Sequence, residues 1–454
     1  MSRSLRRPWL IVAAVLALAI GALVAANAVD EELRPEARAL FRPPPAAFAT
    51  DSGWALLAGF HAPAGQEPRL YAESLRKAAA ARKAGPAAPR THDELEVRAA
   101  DEVLCLPEAN DCTRAFAQRP ESIADLAADN AVLMARYDEL LTSRQLADVA
   151  GPLDYYGAIP FFNLAMRAQQ VRISQIGASV STGRVEAALA WLEADAAFFR
   201  RWLDEAGSIL TKMLALRGLS RDLLVAAQVA RSGRELTAAQ WDALERIAAP
   251  LTPTQRGMGP VIRTEAVLYA GLMDRMLAEP RATSQVIEAP RLMATILSVT
   301  LRPGATLNFS YPLFAAWMAL DAVPSDELAA AIGRIEAGAR RHVAPDWTWA
   351  YNFTGKSVAA EASPPLTEYF YRLRDLDALA AAARCTVALR RRAVAVAAAG
   401  DFVASSPACR DPYEGRPLAW DVERGELSFR ARSPGQVKRF GGSGERVAFA
   451  PYLP

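Results

Sequence analysis

Residues 163–206 read NLAMRAQQVRISQIGASVSTGRVEAALAWLEADAAFFRRWLDEA. Val185, Leu189, Leu192, Ala196, Phe199 and Leu203 recur at three and four, while Glu193, Arg200 and Asp204 face another way. That is the pattern of a helix with one buried stripe. Gly183 divides the stretch into helices over 163–182 and 184–206, a helical hairpin. The same rhythm extends to both sides, so the chain reads as mainly α, with an irregular multi-helix body of helical hairpins. Upstream, Ile123, Leu126, Asn130, Leu133, Tyr137 and Leu140 predict one amphipathic helix over 121–147, ended by Gly151-Pro152. Asn130 is the one polar member of that stripe. Shorter helices are expected at 54–60 and 70–81, before a loop at 83–90. Downstream, helices are expected over 208–231, 238–249 with Thr237 as cap, 260–278, 290–301, 312–321, 325–341 with Ser325 as cap, and 365–399. No fixed period recurs, which argues against a repeat array.

The last segment changes character. Asp411-Pro412-Tyr413-Glu414-Gly415 reads as a turn, and Leu418, Trp420 and Val422 then alternate with Ala419 and Asp421. A second turn at Glu423–Glu426 leads to Leu427 and Phe429, so a small C-terminal β-hairpin is expected, followed by a mobile tail with Gly441, Gly442 and Gly444. The organisation expected for the 454 residues is a signal anchor or signal peptide over 1–28, a spacer and disulfide-containing region over 29–120, a helical body over 121–364, and a long helix with hairpin and tail over 365–454.

Between the basic start (Arg3, Arg6, Arg7) and the acidic cluster Asp30-Glu31-Glu32, no charge interrupts Trp9–Ala26. As a helix this run is about 27 Å long, enough to span a hydrocarbon core. Basic residues before and acidic residues after predict a cytoplasmic N-terminus and a translocated body. Ala26-Asn27-Ala28 is also an acceptable cleavage site, so two readings stand: a single-pass inner-membrane protein with a periplasmic body, or a periplasmic protein after cleavage. Leu292–Leu301 and Phe314–Leu320 are too short to be further spans and read as interior helices. Pro43, Pro44 and Pro45 suggest a stiff spacer between membrane and body.

Lys+Arg 52 against Asp+Glu 50 leaves a formal charge of +2, too balanced for a nucleic-acid binder. Three histidines and four cysteines leave little for an all-protein zinc site, and neither a metal nor another cofactor is expected. Cys105 and Cys112 bracket a short polar stretch, and Cys385 and Cys409 lie near the other end. Two local bridges are the natural expectation, although four cysteines permit three connectivities. Closing those loops would stabilise the fold by about 2.5 and 3.5 kcal/mol, and such bonds persist in an oxidising compartment.

No nucleophile elbow, P-loop, dinucleotide fingerprint or His-Glu-x-x-His occurs. The most unusual stretch is 342–356, where Trp347, Trp349, Tyr351 and Phe353 alternate as if along one extended segment. Such a face suits the lip of a binding pocket, with His342 and Asp346 as polar handles; equally, the rings could plug the helical body. Tyr369 and Tyr371 form a second aromatic cluster beside Glu368, with Glu361 upstream. A carboxylate pair of Glu361 and Glu368 would need a shared helical face, which Pro364-Pro365 interrupts. His61 and His92 read as surface histidines, and Arg390–Arg392 as a solvated face paired with acids.

Several segments resemble a family of uncharacterised proteobacterial envelope proteins with one N-terminal membrane segment and a helical periplasmic body. They are 105–112 (CLPEANDC), 129–137 (DNAVLMARY), 351–356 (YNFTGK), 371–377 (YRLRDLD) and 411–421 (DPYEGRPLAWD). The last is similar to Asp-Pro-x-x-Gly-x-Pro-Leu tails of other envelope proteins, pseudopilin-like ones among them. The resemblance implies location and architecture and supplies no catalytic residues. The expected role is binding of an envelope protein or cell-wall component, with inner-membrane attachment through the N-terminal helix. The alternative is an envelope hydrolase using His342, Asp346, Glu361 or Glu368.

Overall fold

In a computed structural model, the described residues are 6–42, 50–81, 94–97, 104–116, 120–146, 162–278, 299–361, 366–439 and 446–452. The chain is mainly helical with a small antiparallel sheet at its end. The helices are α1 (Arg6–Ala26), α2 (Pro35–Phe41), α3 (Gly53–Ala58), α4 (Pro68–Ala81), α5 (Cys112–Ala115), α6 (Pro120–Asp129) and α7 (Ala131–Thr142). The hairpin expected at 163–206 is α8 (Asn163–Ser181) and α9 (Val185–Glu205). Next come α10 (Ile209–Ala230), α11 (Ala238–Ile247), α12 (Pro253–Arg256), α13 (Gly259–Ala278), α14 (Pro303–Met318), α15 (Leu328–His342) and α16 (Phe353–Glu361). The last are α17 (Thr367–Arg391), α18 (Val396–Ser405) and α19 (Pro434–Arg439).

At the centre α10 packs on α9 on one side and on α17 on the other. Ala378–Ala383 of α17 are all buried, together with Leu373, Leu376, Cys385 and Val387. A helix that is small or apolar on every face belongs inside a core. The core joins α2 and α3 to the C-terminal strands in one cluster. Both cysteine pairs form as expected, Cys105–Cys112 and Cys385–Cys409. The first closes a loop keyed to the core: Gln228 accepts from the Cys112 N–H at 2.9 Å and donates to the Asn110 carbonyl at 2.9 Å.

Several boundaries differ from expectation. The helix expected over 121–147 is two, because the buried Asn130 side chain turns back to the Leu126 carbonyl at 2.8 Å and competes with the backbone ladder. The second half ends at Thr142. The helix expected at 312–321 begins at Pro303 and carries Pro312 inside it, and that expected at 290–301 lies almost wholly outside the described residues. Ser325 caps nothing, since α15 starts after Glu327. Thr237, by contrast, forms a reciprocal capping box with Gln240, as Ser208 does with Thr211. The helix expected over 365–399 breaks after Arg391, where Ala393 takes φ of 49°. Arg200, off the apolar stripe, donates to the carbonyls of Ile247 and Ala249 at the end of α11. His61 is buried against Tyr71 and Glu94 rather than lying at the surface, and His92 lies outside the described residues. Arg391 pairs with Asp242 and Glu245 as a solvated face should.

The C-terminal sheet has order β1 (Ala419–Asp421), β2 (Glu426–Arg430), β3 (Arg446–Phe449), all antiparallel. The hairpin is where the alternation placed it. Of the tail expected to be mobile, Gly441, Gly442 and Gly444 lie outside the described residues, and Arg446–Phe449 forms β3, with Val447 buried opposite Phe429.

Among the described residues no helix is long and apolar enough to cross a membrane. The expected N-terminal helix is present as α1, 21 residues long, but the side chains of residues 6–10, 13, 16 and 20 lie outside the description. Contacts with the body begin at Asn27 and continue through the buried Ala37, Leu40 and Phe41 of α2, ahead of the segment expected as a spacer. Pro43–Pro45 themselves lie outside the described residues.

Candidate functional site

The junction between α1 and the body is built from polar side chains. Asn27 is fully buried: its amide donates to the Leu23 carbonyl at 2.8 Å and the Ala350 carbonyl at 2.9 Å, and its side-chain carbonyl accepts the Asn352 N–H at 2.7 Å. Asn352 adopts φ of 58° and accepts in turn from Arg302 N–H at 2.9 Å and the Thr306 hydroxyl at 3.1 Å. Gly355 is forced by this crowding, since a Cβ there would meet Thr306 Oγ1 at 1.9 Å. Next along the chain, the Asp30 carboxylate accepts from the N–H groups of Gly304 and Ala305 at 2.8 and 3.0 Å. It thereby caps α14 from 274 residues away, where the helix dipole favours a negative charge. Asn308 completes the clip, accepting from Arg34 N–H and donating to Glu31 and to the Glu32 carbonyl, each at 3.0 Å.

The aromatic segment leads out of this junction. It is not extended, as the alternation suggested: Trp347–Ala350 is one 3-10 turn and Phe353 opens α16. Trp347 is 87% exposed and Phe353 45% exposed. Trp349 meets Phe353 edge-on at 6.1 Å, and the Tyr351 hydroxyl donates to the Val29 carbonyl at 3.3 Å. These rings therefore do not plug the body. Asp346 caps the 3-10 turn by accepting the Thr348 N–H and hydroxyl, and the hydroxyl bond holds its carboxyl below the usual range. Lys356 donates to the Thr348 carbonyl at 2.8 Å and lies 5.7 Å from the centre of the Phe309 ring. His342 stacks on the same ring at 4.3 Å, its Nε2 2.8 Å from the Phe309 carbonyl. The fold thus links His342 and Asp346 through Phe309, Lys356 and Thr348.

Glu361 and Glu368 are not brought to that cluster by any contact among the described residues. Glu361 is exposed at the end of α16. Glu368 accepts from the Ser433 hydroxyl and from Arg372. Tyr369 is half-buried, with the Arg372 guanidinium 5.3 Å from its ring centre, and the carbonyl of half-buried Tyr371 accepts from the Tyr413 hydroxyl at 3.2 Å. These residues fasten the C-terminal element to α17. Its keystone is Tyr413, whose hydroxyl also donates to Asp375 at 2.7 Å. Asp375 accepts two further bonds from the N–H groups of Arg432 and Ser433 at 3.0 and 2.9 Å, while burial pushes its carboxyl up to about 6. An open cleft of about 840 Å3 lies beside the sheet, lined by Arg416, Trp420, Asp421, Arg430 and Arg446 among others. The Arg446 guanidinium in this lining donates to the Ser428 hydroxyl at 2.8 Å and lies 3.7 Å from Asp421.

A third cluster escaped the sequence reading. Asp195 of α9 and Asp222 of α10 are both fully buried, beside Tyr137, Gln169 and Arg172. Gln169 donates to Asp222 at 3.1 Å, while the Asp195 carboxylate lies beside the Tyr137 hydroxyl and the Arg172 guanidinium. Burial raises both carboxyls, Asp195 to about 7, and burial likewise raises the Tyr137 hydroxyl. The signal was present: Asp195 lies three residues after Leu192 and four before Phe199, on the apolar stripe itself. Both carboxyls are fully buried in the core, so their charge state bears on stability. Among the described residues no group of three or more His, Cys, Asp or Glu side chains could hold a metal ion. Comparisons with protein-family models, curated proteins and solved structures give no match to this chain.

Proposed function

We propose that the chain is a single-pass inner-membrane protein whose periplasmic helical body binds an envelope partner through the C-terminal cleft. The observation that carries this reading is the contrast between the first helix and the residue that follows it. Ile11, Val12, Val15 and Leu18 of α1 are 59–74% exposed, whereas the next polar residue, Asn27, is fully buried in the body. An apolar helix that the body leaves uncovered needs an apolar medium, and a bilayer supplies it. The buried Asn27 also favours retention over cleavage at Ala26-Asn27-Ala28, since cutting there would remove the partner of the Asn352 N–H. Both disulfides suit an oxidising compartment.

The cleft supports the binding role. Arginine and tryptophan are the side chains most often found at the energetic centre of interfaces, and here they line an open surface held rigidly by Tyr413 and the Cys385–Cys409 bridge. The test uses a photo-crosslinker at Val422, 71% exposed on the cleft rim. In intact cells it should capture one discrete partner, and Trp420→Ala with Arg446→Ala should abolish capture. A chain that crosslinks to nothing, or identically in that variant, overturns the binding reading. Retention of the chain in the membrane pellet after an alkaline wash tests the tether separately.

The hydrolase reading keeps one supporting observation, the surface cluster of His342, Lys356 and Asp346 around Phe309. It fails if exchanging His342, Asp346, Glu361 and Glu368 for inert side chains leaves the cellular phenotype unchanged.

A further inference from the structure

The exposed rings at 347–353 sit where α1 ends. Asn27 binds the Ala350 carbonyl, and Trp347 lies one 3-10 turn from Ala350, about 6 Å along the backbone. The headgroup zone flanking a hydrocarbon core is on the order of 6 Å thick. If the apolar run ending at Ala26 fills the hydrocarbon, Asn27 marks its edge and the rings fall within that zone. Tryptophan and tyrosine prefer this depth, with an apolar ring on one side and a polar atom able to reach water on the other.

We infer that Trp347, Trp349, Tyr351 and Phe353 form a seat that rests in the phospholipid headgroup layer and fixes the body against the membrane; this rests on α1 being a membrane helix. Three observations favour a lipid surface as the occupant. Trp347 presents 87% of its surface to the outside at the foot of an apolar helix, where a buried structural role is excluded. The seat is rigid: Asp346 caps its turn, Lys356 binds the Thr348 carbonyl behind it, and Tyr351 ties to Val29. The end of α15 adds the exposed cations Arg340 and Arg341, next to His342, and these suit lipid phosphates. Tethering by a flexible linker would let the body tumble; the Asn27 clip with an aromatic seat holds one face to the bilayer and turns the rest outward.

Because all four cysteines are paired, single introduced cysteines can be spin-labelled in the full chain. The chain is reconstituted in vesicles of phosphatidylethanolamine and phosphatidylglycerol, with labels at Leu18→Cys, Trp347→Cys, Ala350→Cys and Val422→Cys. Collision with dissolved oxygen, which concentrates in lipid, is compared with collision with a water-soluble nickel chelate. Labels at 347 and 350 should meet the chelate several-fold less often than the label at 422, and that at 18 should report hydrocarbon depth. Ala350→Cys keeps all four rings, so loss of Trp347 cannot produce the result. Hydrocarbon depth at 18 with full chelate access at 347 and 350 overturns the seat alone. Aqueous access at 18 overturns the membrane reading and the seat with it.

Discussion

The side-chain carbonyl of Asn27 receives the Asn352 N–H at 2.7 Å, joining two fully buried residues 325 positions apart. One amide thus closes α1 through the Leu23 carbonyl and holds the start of α16 against the body. Asn27→Ala should leave the Asn352 N–H buried and unpaired, at a cost of about 1–3 kcal/mol. Amide exchange should rise at 350–356 while the core of α8–α10 stays protected. Unchanged exchange at 352 would show that the junction does not depend on this side chain.

Asp195 makes stability depend on pH. Its carboxyl, raised to about 7 by burial from an unfolded value near 3.8, holds a proton in the folded state that the unfolded chain has already released. The folded form binds more protons between pH 4 and 7, so unfolding free energy should fall as pH rises through that window, by up to about 4 kcal/mol. Asp195→Asn should raise stability at pH 8 and make the dependence shallower, with part of the slope left by Asp222. Denaturant midpoints across pH 4–8 check this, and an identical slope in the variant would refute the assignment.

The disulfide at 105–112 carries a loop that also places Glu108 on Arg221 at 2.9 Å. Replacing both cysteines by alanine should cost about 2.5 kcal/mol through loop entropy, with increased exchange at the Gln228-keyed amide of Cys112 replaced in kind. Alkylation of the native chain should modify no thiol before reductant is added. Alkylation without reductant would contradict both bridges and the oxidising address.

Local chemistry was legible where it stayed local. Thr237 announces its helix because a hydroxyl and the residue three on are enough to cap one, and Ser208 with Thr211 carries the same local signal. Alternation at Leu418–Phe429 likewise fixes the hairpin, while β3 follows a glycine-rich tail whose four-residue strand is too short to stand out. Trp347–Phe353 alternates just as a strand would, yet Asp346 and Lys356 fold it into a turn. The break after Arg391 has no glycine or proline to mark it; Ala393 takes its positive φ in the C-cap, where the Val394 N–H returns to the Leu389 carbonyl at 3.0 Å. Asn27, Asp30 and Asn308 could not be read at all as a clip, because each partner lies hundreds of residues away.

Tyr413 decides whether the C-terminal element stays in place. Its hydroxyl donates to Asp375 and to the Tyr371 carbonyl, and the Arg432 guanidinium lies 4.4 Å from its ring centre. Tyr413→Phe keeps the ring and removes one of three donors to a buried carboxylate, a loss of about 1–2 kcal/mol. Because the hydroxyl bond lowers the Asp375 carboxyl against the upward push of burial, its removal should move that group above about 6. Above its unfolded value the folded element holds the extra proton, so its stability should increase as pH falls from 7 to 5. In the variant this gain should be larger and begin at higher pH. Amide exchange of β1–β3 at pH 5 and 7 measures both effects, and partner capture at Val422 should weaken at pH 7 in parallel. Equal protection of the sheet at both pH values in both proteins would remove Asp375 as the group that fastens it.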